Sequence, residues 1–118
     1  MSFNIGKQKK ITEYMEELGY KFTEKELLKN KKIIVQRFEK RIDENGDFYG
    51  VLAGQILEDD ETGGKKVCFY LPTYDESGLC KCNDEDIAEL EKGGYYYFIE
   101  KKSSENGRNY FIGYLEVL

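Results

Sequence analysis

A helical pattern of apolar residues followed by a longer strand-like pattern predicts a mainly β protein with a few helices. Up to Asn30, apolar residues recur at the three-to-four-residue spacing of a helix, and beyond it most recur at every second position, as in a strand. Two Asn-Gly pairs, Asn45-Gly46 and Asn106-Gly107, each separate two alternating runs, which is typical of β-hairpins. With 118 residues, 40% of them hydrophobic, the chain is long enough for one domain with its own core.

The N-terminal part of the chain is predicted to be helical. Between Lys7 and Leu18 the apolar residues form one stripe at helical spacing, and Gly19 is placed to end this helix. Thr23 and Glu26 then have the spacing of a capping box, in which each side chain bonds to the other residue's backbone N–H. This predicts a second, short helix from about residue 24 to residue 29.

Five strands are predicted after Asn30, over residues 32–42, 48–57, 65–71, 95–100 and 109–118. A helix of about residues 84–92 is expected between the third and fourth strands, because Asn83 can cap it and Gly93-Gly94 can end it. Gly50 and Gly54 on the second strand indicate strong bending or a bulge.

Five short strands with a helix between the third and the fourth match the OB-fold, a small and partly open Greek-key barrel. We therefore expect an N-terminal helical extension over residues 1–30 and an OB-fold-like barrel over residues 31–118, within one domain. An SH3-like barrel, or a plain antiparallel sheet with one helix, fits the same periodicity.

The sequence lacks the residues that most enzymes and metal sites use. Histidine is absent, which removes the commonest general base and the commonest neutral metal ligand. The run 63–66 has neither the spacing nor the Ser or Thr of a phosphate-binding loop. Cys68, Cys80 and Cys82 are an odd number and too few for a zinc site, so we expect reduced thiols. The sequence therefore predicts no enzyme activity, no cofactor and no metal.

Charge is distributed unevenly along the chain. Residues 1–42 carry a net +5, residues 43–100 a net −11 and residues 101–118 a net +1, for a total of −5. This balance excludes a densely basic nucleic-acid binder but allows a local basic surface. No run approaches the roughly 20 apolar residues of a membrane span, and no signal-peptide core follows Met1. We therefore expect a cytoplasmic protein without membrane contact.

Two segments resemble the small single-strand-binding proteins of phages and mobile genetic elements. The run Leu27 to Arg41, followed by Gly46-Asp47-Phe48-Tyr49, resembles their opening, in which a short helix leads through a Lys-rich step into the first strand and its hairpin. The run Leu90 to Phe98 is similar to the helix-Gly-aromatic entry to their fourth strand. The resemblance covers about residues 24–115. It implies an OB-fold that binds single-stranded DNA, or RNA, during replication, recombination or conjugation.

Cations and aromatic rings fall on the strands and loops that an OB-fold uses for its ligand. Lys and Arg follow the phosphates of a single strand, and aromatic faces stack its bases for about 1–3 kcal/mol each without reading sequence. We expect the following residues to lie along one shared trough: Arg37, Lys40, Arg41, Tyr49, Lys66, Tyr70, Tyr96, Lys101, Lys102, Arg108 and Tyr110. Packing against the sheet for the tyrosines, and cross-strand ion pairs for Arg37 and Arg41, are the alternatives.

The acidic middle segment supports a different interpretation. Five acids between Asp84 and Glu91 fall on one predicted helix, as in a protein-interaction module or an inhibitor that docks on a host or replication protein. The stripe on the first helix, with Tyr14 and Met15, would offer a surface for such a partner or for a homo-oligomer if it did not pack on the barrel.

Overall fold

A computed structural model describes residues 10–58 and 60–118, so that the predicted helix start at Lys7 and Asp59 of the acidic turn lie outside the described residues. Strands make up most of the regular secondary structure, and the helices are short. In chain order the elements are α1 (Ile11–Glu17), β1 (Lys21–Phe22), α2 (Lys25–Leu28), β2 (Lys32–Ile42), β3 (Phe48–Ile56), β4 (Lys66–Tyr70), β5 (Tyr74–Asp75), a 3₁₀ turn (Leu79–Lys81), α3 (Asp84–Leu90), β6 (Tyr95–Ser103) and β7 (Asn109–Val117).

The strands form one sheet in the order β1-β4-β3-β2-β6-β7-β5. The five long strands β4, β3, β2, β6 and β7 each pair antiparallel with the next in this order. The two short edge strands pair in parallel, β1 with β4 and β5 with β7. The long strand β2 pairs with β3 from Ile33 to Ile42 and with β6 from Lys32 to Ile34, with a bulge between Val35 and Arg37. Gly54 crosses β2 so closely that a Cβ there would lie 1.9 Å from the Ile34 oxygen. The bulge and this close crossing bend the sheet around a core.

The core lies between the inward faces of all five long strands. Its buried members include Ile33 and Val35 of β2, Leu52 of β3, Phe69 of β4 and Tyr97 of β6, and Phe111 and Leu115 of β7 pack against them. The Tyr97 hydroxyl donates to Asp75 Oδ1 at 2.8 Å. A Cβ at residue 113 would lie 1.9 Å from that hydroxyl oxygen, so only glycine lets the ring reach Asp75. Burial, followed by the nearby Asp75 carboxylate, raises the pKa of Tyr97.

The N-terminal segment packs on the outside of the sheet. Ile11 and Met15 of α1 are fully buried there, together with Tyr20, against the outward side chains of β3 and β4. The apolar stripe of α1 therefore belongs to the fold, and the exposed stripe on which the sequence based a partner or homo-oligomer surface is not present. The predicted capping box is wrong as well. The Thr23 hydroxyl donates to the Lys21 carbonyl, and Glu26 forms an ion pair with Lys29.

The β-rich class with a few helices is confirmed, but the five-stranded barrel is wrong. The sheet has seven strands, and it is not closed by hydrogen bonds between described residues. The two additional strands have two residues each, too few for a periodic pattern to reveal. β1 occupies the outer edge of β4, and the chain returns after Pro72 to occupy the outer edge of β7 as β5. None of the described helices is long and apolar enough to span a membrane.

Candidate nucleic-acid interface

A cleft of about 990 Å³ opens between α1 and the hairpin end of β2 and β3. We call it the hairpin cleft. Its lining contains cations, aromatic rings and two acids, and it comprises Tyr14, Met15, Arg37, Phe38, Glu39, Lys40, Arg41, Ile42, Phe48, Tyr49 and Glu91. Three bases and two acids give this lining a net +1, whereas the whole chain carries −5. The cleft is therefore a locally basic, ring-lined surface on an acidic protein.

The pairing of β2 with β3 places the two arginines on one face. Arg41 lies directly opposite Tyr49, and Arg37 lies opposite Ala53, so both side chains point to the outer side of the sheet. The Arg37 guanidinium donates to the Tyr14 hydroxyl at 3.1 Å, and its carbon lies 5.6 Å from the Tyr14 ring centroid. Arg41 forms an ion pair with Glu39 of its own strand at 3.2 Å, and β3 contains no acid that could form a cross-strand pair with either arginine.

Tyr49 lies where three hollows meet. Besides the hairpin cleft, it lines a hollow of about 570 Å³ that includes Lys10, and another of about 440 Å³ that includes Lys81. Its ring is 36% exposed, and its centroid lies 6.3 Å from that of Tyr70. Tyr70 in turn meets Phe22 edge-on at 5.8 Å. These contacts hold the Tyr49 ring in place at the rim while leaving part of its face open.

Lys40 is turned to the opposite side of β2 from the two arginines. Its ammonium donates to the carbonyl oxygen of Cys80 at 3.3 Å and also to that of Cys82. It also lies 5.6 Å from the Phe48 ring, which is 55% exposed. Lys40 therefore joins β2 to the 3₁₀ turn before α3. Its ammonium is already engaged, although the side chain lines the cleft.

Glu91 is the acid at the back of the cleft. β6 pairs with β2 only as far as Ile34, and beyond that point the Glu91 carboxylate accepts the backbone N–H of Phe38 at 3.0 Å. With Glu39 paired to Arg41, both acids that line the cleft are engaged by the protein itself. The cleft therefore offers a ligand two guanidinium groups, each of which also bonds within the protein, and partly open aromatic rings.

The other predicted residues lie elsewhere, so the single trough expected from the sequence is not formed. Lys66 lies at the far end of α1, where its ammonium is 4.5 Å from the Tyr20 ring centroid and 3.5 Å from the Leu18 carbonyl oxygen. Tyr96 lies on the outer side of β6, with the Lys32 ammonium 5.3 Å from its ring centroid.

The residues predicted around the β6–β7 hairpin are also remote from the cleft. Lys101 forms an ion pair with Glu26 at 3.0 Å, and Lys102 forms one with Glu100 at 3.2 Å. Arg108 is exposed beside the Asn106-Gly107 turn, and Tyr110 meets the ring of Tyr74 at 5.2 Å. The structure therefore brings Arg37, Lys40, Arg41 and Tyr49 together in the hairpin cleft, with Tyr70 beside Tyr49, but not Lys66, Tyr96, Lys101, Lys102, Arg108 or Tyr110.

Two residues of the hairpin cleft were missed by the sequence reasoning. Tyr14 was assigned to the apolar stripe of α1, but its ring lies at the edge of that stripe and contacts Arg37. Phe48 lies at the start of β3 beyond the end of the core, and it is 55% exposed. Tyr14 reaches Arg37 only because α1 packs on the sheet, so no local signal in the sequence marks Tyr14 as a site residue.

Comparison of the chain with protein-family models, with curated proteins and with solved structures finds no match. Its function is therefore inferred from the chemistry of its own surfaces. Guanidinium groups bind phosphates with directed hydrogen bonds, and phenol rings stack flat apolar groups. Among the described residues no three His, Cys, Asp or Glu side chains gather into a set of metal ligands.

Proposed function

We propose that this protein is an OB-fold-like protein that binds single-stranded DNA with little sequence preference in the hairpin cleft. The observation that supports this most is the grouping of Arg37 and Arg41 with the rings of Tyr14 and Tyr49 around one open cleft. The resemblance to single-strand-binding proteins of phages and mobile elements suggests a cytoplasmic role in replication, recombination or conjugation.

The order of the long strands supports the OB-fold part of the proposal. With β1 and β5 set aside, the first long strand, β2, pairs with both the second and the fourth, β3 and β6. α3 lies between the third and the fourth, and all five contribute to one core. In OB-folds the face of the second and third strands and the loop before them bind oligonucleotides. The hairpin cleft lies at the corresponding loop.

Each group in the cleft has a defined part in the proposed binding. Arg37 and Arg41 contact successive phosphates, while Tyr49, next to Tyr70, stacks a base for about 1–3 kcal/mol. α1 covers the centre of the β3–β4 face, so the strand follows the rim of the cleft instead of crossing that face. Stacking and phosphate contacts read no base edges, which is why little sequence preference is expected.

A titration with fluorescein-labelled oligo-dT at low salt, followed by anisotropy, tests this proposal. We expect binding that weakens with salt, with a slope of log K against log salt of about −1.4 if the two arginines neutralise two phosphates. A duplex of the same length should bind less tightly, because its bases are not open to stacking. Oligo-U in parallel distinguishes DNA from RNA. No binding at tens of micromolar protein would remove the proposal.

A protein-interaction module is the second candidate function, and α3 is the observation that favours it. Asp84, Glu85, Asp86 and Glu89 are all exposed on this helix. Asn83 caps this helix, as the sequence predicts, and Asp86 adds the second half of a capping box. If a host or replication protein were retained by this chain at high salt while oligo-dT was not bound, the acidic module would replace the DNA-binding proposal.

A further inference from the structure

The outer side of strands β5, β6 and β7 presents a continuous set of large side chains. They are Tyr74, Tyr96, Phe98, Tyr110, Ile112 and Tyr114, and we call them the aromatic sheet face. The strand register places Phe98 opposite Tyr114, and the rings of Tyr74 and Tyr110 touch at 5.2 Å. These side chains therefore form one surface across three neighbouring strands.

This face points away from the core. Tyr97, Ile99 and Phe111 alternate with its members along β6 and β7 and are the residues that fill the interior. A hollow of about 310 Å³ on the face is lined by residues of β2, β6 and β7. Tyr74 at the edge of the face is 54% exposed, and the other five members are half-buried. A continuous apolar surface that stays open to solvent marks an interaction site.

The charges on the face are balanced and alternate along it. Lys32 and Glu116 lie towards one end, and Lys102 lies at the other end with Glu100 before it. Two bases and two acids give a net charge of zero, whereas the lining of the hairpin cleft carries +1. Glu100 and Glu116 line the hollow beside the rings, and carboxylates there repel the phosphates of a strand stacked on those rings. The charge pattern therefore opposes a nucleic acid and complements a copy of itself.

We propose that the aromatic sheet face is a dimer interface that receives the same face of a second copy of this chain. A two-fold axis that crosses the strands places the Lys102 end of one copy over the Glu116 end of the other. The opposite-charge contact between Lys102 of one copy and Glu116 of the other then occurs twice, as an isologous interface requires. Phe98 and Tyr114, at the middle of the face, lie at the centre of the interface, where hot-spot residues are usually found.

Sedimentation equilibrium of the full chain tests the proposal. Wild type should dimerise, and Phe98→Glu should weaken dimerisation at least about 30-fold, the size of a typical hot-spot loss. Leu27→Glu, at a side chain on α2 that is 67% exposed, is the matched control and should dimerise like wild type. Circular dichroism of each variant establishes that it has folded.

Exchanging the charges of Lys102 and Glu116 distinguishes the loss of an interface contact from a general effect on folding. Lys102→Glu and Glu116→Lys should each weaken the dimer, because each places like charges opposite one another across the two-fold axis. The double variant restores both contacts and should dimerise within a few-fold of wild type. A wild-type chain that stays monomeric at high concentration, or a double variant no better than the single ones, overturns the proposal.

An oligo-dT titration of Phe98→Glu identifies the competing occupant. The dimer proposal predicts that a short oligonucleotide binds this variant as it binds wild type, since the hairpin cleft is intact. If Phe98→Glu loses oligo-dT binding while wild type is a monomer, the face holds nucleic acid and the dimer proposal is wrong. Failure of wild type to bind oligo-dT would count against the proposed function and leave the dimer measurement unaffected.

Discussion

Replacing Tyr49 by alanine removes the ring that the proposed binding depends on most. The ring is 36% exposed at the junction of three hollows and is held at 6.3 Å from Tyr70. Loss of one stacked base costs about 1–3 kcal/mol, which corresponds to roughly 5- to 150-fold weaker binding. The Tyr49 side chain is not part of the buried core, so the free energy of unfolding should change by only about 0.5 kcal/mol.

The assay is the anisotropy titration with a short labelled oligo-dT at fixed low salt. Tyr49→Phe keeps the ring and should bind within about twofold of wild type, since the hydroxyl is not needed for stacking. Tyr74→Ala removes a more exposed tyrosine, 54% exposed, from the opposite region of the sheet and should leave affinity unchanged. Unchanged affinity of Tyr49→Ala, or an equal loss in Tyr74→Ala, would refute the assignment of stacking to the hairpin cleft.

Three further predictions concern charge and burial. Arg41→Ala should weaken oligo-dT binding and make the salt slope less steep by about 0.7, the value for one phosphate contact on a single strand, in titrations at several salt concentrations. Lys40→Ala should leave that slope unchanged but lower the free energy of unfolding by about 1–3 kcal/mol in urea titrations, because its ammonium bonds to the Cys80 and Cys82 carbonyls. Burial raises the pKa of the Cys68 thiol to about 11, so Cys68 should react with a maleimide at pH 8 only after unfolding, as peptide mapping would show. Because the pKa of this thiol is higher in the folded than in the unfolded protein, its burial stabilises the fold at pH values below the pKa of the unfolded thiol. This stabilisation is lost as the pH rises towards 11, and unfolding titrations across this pH range can measure the loss.

Much of the fold could be predicted because local signals agree with the tertiary structure. The change of period after Asn30, the Asn45-Gly46 turn and the Asn83 cap each act within a few residues. β2, β3 and α3 accordingly begin where the sequence places them. β6 continues to Ser103, beyond the predicted end, because the Asn106-Gly107 hairpin is tight and lets both strands pair up to it.

The bulge in β2 is the feature that the sequence could not locate, and it decides which cations face the cleft. Strict alternation from Ile33 and Val35 would place Arg37 inside the sheet. The extra residue between Val35 and Arg37 reverses the phase, so that Arg37 and Arg41 point outwards while Lys40 points the other way. A bulge is set by pairing with a distant strand, in this case at the close crossing of Gly54, and it has no local signature.

The surface on which α1 packs is the second feature that the local sequence does not predict. Its stripe could be identified from the sequence, but not the surface that it covers. By packing on the β3–β4 face it separates Lys66 from Tyr70 and brings Tyr14 to Arg37. Contacts between segments that are distant in the chain therefore divided the predicted residues between several surfaces.

Heteronuclear NMR of the labelled protein during titration with oligo-dT tests the central claim most directly, because it reports every backbone amide separately. The account predicts that the largest salt-sensitive shifts fall on residues 37–41 and 48–50 and on Tyr14. Shifts confined to β6 and β7 or to α3, or an unchanged spectrum at saturating oligonucleotide, would contradict it.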